Sequence, residues 1–268
     1  MLKDITLGQY FPGNSIAHKL DPRTKILLVM LYIIALFSAK GWMGYAVMAV
    51  TLAACVKVSH VGLRALVRGL KPLVFIIAFT GILNMFFTPD THYLWEWGIL
   101  RVSVKGIENA LFMVIRIMLL VMGTFLMTYT TSPIRLTDGL ESLLNPLKKI
   151  HVPVHELAMM MAIALRFIPT LIEETDKIMS AQKARGADFE SGSIFQKAKA
   201  LVPILVPLFI SAFRRADELA TAMECRCYHG GEGRTKLHVL KYQRRDYVAL
   251  AGGVVILVLV VALRRLGA

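Results

Sequence analysis

An all-helical, multi-pass membrane fold is what this sequence predicts, on three observations: its apolar excess, the length and spacing of its apolar runs, and the placing of its charge. Hydrophobic residues fill 56% and charged residues only 18% of the 268 positions, and the mean hydropathy is +0.59. Both lie outside the usage of water-soluble domains. The formal net charge is +13, but the basic residues sit beside apolar runs, where they face anionic headgroups and set orientation. The charge therefore points to the lipid bilayer and not to a nucleic-acid partner.

Cysteine usage agrees with this reading. Cys55 lies inside an apolar run, and Cys225 and Cys227 lie close together in a polar region. No even-numbered disulfide framework of an exported domain results, so the latter two thiols are expected to be cytosolic and reduced. The first apolar run opens only at Ile26 after a mixed-charge start, and another follows almost at once. A cleaved signal peptide is not expected.

In chain order, Asp21 and Pro22 supply an N-cap and a first helical position, and the run Ile26 to Phe37 follows as the first membrane helix. Lys40 and Gly41 separate it from "GWMGYAVMAVTLAACVKV", so a tight hairpin is expected, with Trp42 at the interface. Lys57, Arg64, Arg68 and Lys71, with no acid among them, mark a short amphipathic link on the cytoplasmic side. "LVFIIAFTGILNMFF" then crosses outward to "TPDTHYLWEWG", whose Asp90, Trp95, Glu96 and Trp97 suit an external interface, and "GIENALFMVIRIMLLVMGTFLMTYT" returns.

Beyond Thr131 charges of both signs recur every few positions, and no apolar run reaches the roughly 20 residues a span needs. Residues 132–245 are expected to be cytoplasmic helices, between an N-terminal membrane domain of about four spans at 1–131 and a last span at 246–268. About five crossings put the N-terminus inside and the C-terminus outside, which leaves Arg264 and Arg265 on the disfavoured side unless a re-entrant segment intervenes.

Inside the polar block, Ser132 and Pro133 open a helix that runs to Pro146. From His155 to Gly186 the pattern predicts one rod of about 45 Å, with Leu165, Ile168, Ile172 and Met179 along its apolar stripe and Glu173 and Lys177 as an i, i+4 pair. "ESGS" turns the chain into a second rod, carrying Phe213, Ala216, Leu219 and Met223 and kinked or broken at Pro203 and Pro207. Both stripes end in an arginine between small residues: Ala184, Arg185 and Gly186 in "AQKARG", and Cys225, Arg226 and Cys227 in "AMECRC".

Each arginine read alone is a helix C-terminal cation, favourable to the dipole and followed by a glycine cap at Gly186 or Gly230. The repetition, with small neighbours that leave guanidinium and backbone approachable, predicts a pair of docking tips.

Other features keep two readings. Met159, Met160 and Met161, with Met113, Met118, Met122 and Met127, form either a deformable surface for several partners or ordinary apolar filling. Arg116, inside a span, is either an ion-coupled centre of a stand-alone transporter or a snorkelling or hydrogen-bonded side chain. Cys225, Cys227 and His229 have a spacing that spreads ligands around a helix and lack an evident fourth, so neither a metal nor an intramembrane metalloenzyme is expected. His151, His155 and Glu156 match no zincin spacing, and "GGEGRTK" lacks the spacing of a phosphate-binding loop. No catalytic residue and no cofactor are predicted.

On "SIAHKLDPRTK", on "SPIRLTDGLESLLNPLKKIHVPVHELAMMMAIALRFIPTLIEE" and on the two arginine motifs "AQKARGADFE" and "AMECRCYHGGEGRT", the chain resembles the transmembrane T component of energy-coupling factor (ECF) transporters, with its cobalt, nickel and biotin relatives. The resemblance implies an ABC-type importer of vitamins or transition-metal ions in the cytoplasmic membrane. In it two ATPase subunits bind the T component, which couples them to a small substrate-binding membrane protein, the S component. It further implies that Arg185 and Arg226 end crossed coupling helices and enter grooves on the ATPases. Cys225 and Cys227 stand where that family more often has Ala and Gly.

Overall fold

The computed structural model describes residues 10–88, 93–97, 100–187, 189, 193–231 and 239–265. The chain forms two compact units, Gly8–Ser142 with Leu240–Ala268, and Leu143–Val239.

The first unit holds a short turn of helix α1 (Ile16–Lys19), then α2 (Pro22–Ser38), α3 (Gly41–Ser59) and α4 (Leu63–Leu70). A 3-10 turn at Lys71–Leu73 leads into α5 (Val74–Phe87). The strands β1 (Tyr93–Trp97) and β2 (Leu100–Ser103) follow, then α6 (Val104–Thr130), α7 (Pro133–Leu144) and, at the end of the chain, α10 (Arg244–Arg265). Asp21 caps α2 as expected, its carboxylate accepting from the Arg23 backbone N–H at 2.9 Å. The hairpin between α2 and α3 turns on Ala39 and Lys40. The amphipathic link is α4, which buries Leu66 and Leu70 and continues through the 3-10 turn into α5.

The hairpin β1–β2 is the one addition to the helical expectation among the described residues. It pairs Trp95 with Val102 and Trp97 with Leu100, antiparallel, with an irregularity between Tyr93 and Trp95. The signal was the spacing of Tyr93, Trp95 and Trp97 at every second residue, a pattern of strand period and aromatic β-propensity. Asp90 falls outside the described residues.

The core of this unit is built from Ala35 and Leu36 of α2, Tyr45, Met48, Leu52 and Val56 of α3, Leu66 of α4, Leu119 and Tyr129 of α6, and Val260 of α10. The longest helix of this unit, α6, takes α2, α3, α4 and α5 against it, and α10 lies on α2 and α3. Many side chains on the outer faces are large, apolar and exposed, among them Phe75, Phe79, Val255 and Val258. That is the inverse of a soluble fold and the natural outer surface of a membrane protein.

One end of the unit is closed by a polar knot that ties four helix ends together. Asp246, only 2% exposed, accepts from the Asp21 N–H at 2.9 Å and from the Gln243 N–H at 2.7 Å, so one carboxylate serves the starts of both α2 and α10. Buried Lys25 donates to the Thr130 carbonyl at 2.8 Å and the Thr131 hydroxyl at 3.0 Å, at the end of α6. Arg23 pairs with Asp21, donates to the Ser142 hydroxyl at 3.1 Å and lies 4.2 Å from the centre of the Tyr242 ring. The starts of α2 and α10 therefore sit together with the end of α6.

Arg116 is settled by its neighbours: its Nε donates to the Tyr45 hydroxyl at 2.9 Å, and its guanidinium lies 5.7 Å from the Phe37 ring centre. Of the readings open for it, the hydrogen bond to a neighbouring helix is the one found.

The second unit is formed by a 3-10 turn at Asn145–Ile150, α8 (Val154–Ala184) and α9 (Ile194–Cys225). Both rods are continuous. Pro169 lies inside α8, and Pro203 and Pro207 lie inside α9 without dividing it. The turn expected at "ESGS" lies outside the described residues except for Ser193, which opens α9 with a capping box to Gln196.

Five helices are long and apolar enough to cross a membrane: Gly41–Ser59, Leu63–Phe87, Val104–Thr130, Val154–Ala184 and Arg244–Arg265. The expectation that no segment between 132 and 245 reaches that threshold does not hold for α8. Its first half, Met-rich and Ala-rich, carries only Glu156 and Arg166 as charges. The first expected span, α2, is a 17-residue helix of about 25 Å.

Candidate functional site: two arginine-tipped helices

The two arginine motifs have the same backbone as well as a similar sequence. Arg185 is the C-cap of α8 at φ −87°, ψ 6°, and Arg226 is the C-cap of α9 at φ −92°, ψ 13°. After Arg185, the Gly186 N–H donates to the Lys183 carbonyl at 3.0 Å and the Ala187 N–H to the Gln182 carbonyl at 3.0 Å. After Arg226, the Cys227 N–H donates to the Glu224 carbonyl at 2.8 Å and the Tyr228 N–H to the Met223 carbonyl at 3.1 Å. Both are Schellman closures, which satisfy the last carbonyls and need a left-handed residue directly after the cap.

Gly186 fills that position in the first motif, at φ 87°, with nothing near where a side chain would project. In the second the residue is Cys227, at φ 54°. The expected cap at Gly230 is thus corrected. Gly230 does have a positive φ of 97°, but it lies beyond the closure, which is completed within two residues of Arg226.

Ala184, Arg185, Gly186, Cys225, Arg226 and Cys227 are all exposed. Among the described residues neither guanidinium has a hydrogen-bond or ion-pair partner. The negative end of each helix dipole favours a cation there. The closure fixes the backbone that carries it. Each tip is a rigidly mounted, unoccupied planar donor, suited to a carboxylate or to carbonyls on another molecule.

The rods are joined to each other by polar contacts. Arg215 Nη2 of α9 donates to Glu174 Oε2 of α8 at 2.6 Å. Gln182 Nε2 of α8 reaches the Pro203 carbonyl of α9 at 3.5 Å. Position 174 faces 215 while 182 faces 203, so the rods run in opposite senses where they meet. Glu173 and Lys177, expected to pair, do not close an ion pair; the neighbouring Glu174 is the residue engaged, with a partner far away in sequence.

Beyond Arg226 the chain comes back onto the start of α8, where Gly231 lies so close to the His155 ring that no side chain fits between them. Arg226 is thus presented toward the start of α8 and Arg185 at its end, roughly 33 Å apart along the rods, 11 residues each way from the Glu174–Arg215 pair. The repeat produces two separate tips and not one bipartite site.

The remaining sequence features are placed as follows. Met160 and Met161 are exposed on α8; Met113, Met118, Met122 and Met127 are half-buried along α6. Cys225 and Cys227 are free and exposed, and among the described residues no three His, Cys, Asp or Glu side chains converge to hold a metal ion. The Asp21, Lys25 and Asp246 knot went unnoticed in the sequence beyond its capping residue, because its partners are more than a hundred positions apart.

Comparison with known proteins covers nearly the whole chain. The family described as Cobalt transport protein matches residues 13–237. The energy-coupling factor transporter transmembrane protein EcfT of Clostridium kluyveri is 56% identical over 250 residues, covering 93% of each chain. That of Ruminiclostridium cellulolyticum is 54% identical over 246 residues, 92% of each. The EcfT of Bacillus subtilis is 46% identical over 264 residues, 98% of this chain and 100% of its own. With apolar helices of membrane-crossing length and this extent of identity, the chain is a multi-pass membrane transport protein and belongs to the EcfT family of energy-coupling factor transporter transmembrane proteins.

Proposed function

We propose that this chain is the non-catalytic coupling subunit of an ABC-type importer in the cytoplasmic membrane. Two ATPase subunits dock on Arg185 and Arg226, and a small substrate-binding S component, carrying a vitamin or a transition-metal ion, sits against the membrane helices and the Met-bearing surface of α8. Residues 1–131 and 246–268 are the membrane portion, and residues 132–245 are the cytoplasmic coupling domain.

The observation that carries this reading is the pair of exposed arginines, without a partner among the described residues, at similarly closed ends of two long helices. A rod closed in this way does not fray, so a displacement at its tip moves the whole helix instead of unwinding its last turn. Two tips far apart suit two docking partners, as a pair of nucleotide-driven subunits requires. The Glu174–Arg215 bridge and the Gln182 contact fasten the rods to each other, so that movement of one is felt by the other. The rival reading, a self-sufficient transporter centred on Arg116, is disfavoured because Arg116 is already held by Tyr45 and stacked near aromatic rings.

Charge reversal tests the proposal. Arg185→Glu together with Arg226→Glu is expected to leave insertion and expression intact while abolishing co-purification of the ATPases and ATP-driven uptake. Loss of a buried interfacial cation costs about 2–5 kcal/mol, roughly thirty-fold or more in affinity. Unchanged uptake by the double variant would reject the docking role.

A further inference from the structure

The first unit contains an open apolar groove of about 630 Å³ between α2, α3, α6 and α10. Leu28 and Leu31 of α2, Cys55 and Val58 of α3, Met127 of α6 and Ile256 of α10 are among its walls. At Gly252 of α10 the wall is open, because a side chain there would meet nothing within 4 Å. The groove is not uniform along its length. At the end where α2 and α10 start, its lining changes to Lys25, Arg244 and Arg245, and no acidic residue lines it anywhere.

The carboxylates nearest these cations are engaged elsewhere by the way the polar knot is wired. Asp246, the nearest carboxylate in sequence, directs one oxygen to the Asp21 N–H and the other to the Gln243 N–H. Lys25 is held by the Thr130 carbonyl and the Thr131 hydroxyl. Among the described residues Arg245 donates to the Gln243 side chain alone, at 2.9 Å. Arg244 is exposed and has no partner among the described residues.

We infer that this groove binds one anionic phospholipid, with an acyl chain between α2, α3, α6 and α10 and its phosphate over Arg244 and Arg245. The inference rests on the chain being embedded in a membrane and is independent of the docking role of Arg185 and Arg226. The volume lies within the roughly 300–1,000 Å³ of small-ligand pockets, which suits an acyl chain; a protein helix laid over the groove is the alternative that the test separates. Charge decides between lipids: three cations with no acid in the lining favour a net negative headgroup over a zwitterionic one, and clustered basic side chains at the end of membrane helices are the ordinary receptor for such lipids.

The test uses the full-length chain, purified in mild detergent with whatever subunits accompany it, and native mass spectrometry of bound lipid. After delipidation it is titrated with phosphatidylglycerol and, in parallel, with phosphatidylcholine and inorganic phosphate. One phosphatidylglycerol is expected to remain bound in preference to phosphatidylcholine. Arg244→Gln with Arg245→Gln is expected to weaken that binding about tenfold or more and to narrow the preference. Gly252→Leu, which fills the groove and leaves every cation in place, is expected to displace the lipid.

Equal retention of the two lipids, or retention unaffected by both variants, overturns the inference. Competition by inorganic phosphate with binding indifferent to Gly252→Leu would leave a simple anion site and overturn it too. If Gly252→Leu releases an accompanying membrane subunit while lipid binding stays unchanged, the groove is a protein-docking surface and the inference is wrong.

Discussion

Cys227 shows most plainly what a single residue does to the coupling tip. It holds φ 54°, a left-handed conformation in which a side chain crowds the following carbonyl at a cost of roughly 1–2 kcal/mol, and it does so in the same closure that Gly186 completes without strain. Cys227→Gly is therefore expected to raise stability by about 1 kcal/mol, read as a rise of a few degrees in melting temperature in detergent, with Arg226 kept in place and uptake retained. Gly186→Ala is expected to move the melting temperature down by a similar amount. A fall on Cys227→Gly would mean that the thiol makes an interaction outweighing its backbone strain. The arginines and their small neighbours were legible in the sequence because they recur in one pattern. The true cap was not, because cysteine is not among the residues that normally signal a left-handed turn, and Gly230 nearby carries the more familiar signal.

At the level of whole helices, the prolines of α9 and the start of α10 show where local rules are overruled by contacts distant in sequence. Pro207 removes the N–H that would reach the Pro203 carbonyl four residues earlier, and Gln182 of α8 supplies a donor to that carbonyl instead, at 3.5 Å. The sequence marked Pro203 and Pro207 as kinks or breaks; the continuous α9 has a partner rod that offsets part of the loss. The start of α10 is the stronger case. Asp246 lies in its first turn, and its bond to the Asp21 N–H joins positions 225 apart, which no periodicity reveals. Asp246→Asn replaces one acceptor oxygen by a donor facing an N–H, inside a site only 2% exposed. An unsatisfied buried group of this kind costs about 1–3 kcal/mol. The variant is expected to melt earlier than wild type, while Asp217→Asn on exposed α9 changes the melting temperature little; equal behaviour of the two would show that the knot contributes nothing.

Across the whole molecule, the end at which α6 finishes is the end at which α10 begins, since Lys25 beside Asp21 bonds Thr130 and the Asp21 N–H bonds Asp246. Whatever the intervening 143–239 segment does, it returns to the side of the membrane it left, so it crosses an even number of times. Hydropathy alone admits α8 as a span, and this is where the number of helices, otherwise legible from apolar runs and caps, departs from the expectation that no run beyond Thr131 is long enough. Parity favours the proposed placement of residues 132–245: α8 can cross only if α9 crosses back, and α9, with Lys199, Arg214, Arg215, Asp217 and Glu218 along it, is not among the helices apolar enough to do so. On that proposal neither rod crosses, and both arginines belong to the cytoplasmic side, the side that the distribution of positive charge assigns to Lys57, Arg64 and Arg68. Arg264 and Arg265 stay at the far end of α10 as a minority. In vesicles of defined orientation, a membrane-impermeant maleimide is therefore expected to label Cys225 and Cys227 only when the cytoplasmic face is outward, and a cysteine introduced by Arg265→Cys in a Cys225→Ser, Cys227→Ser background only when the opposite face is outward. Labelling of Cys225 or Cys227 from the external face would place the arginine tips away from any ATP-hydrolysing partner, and the coupling role would fall with that result.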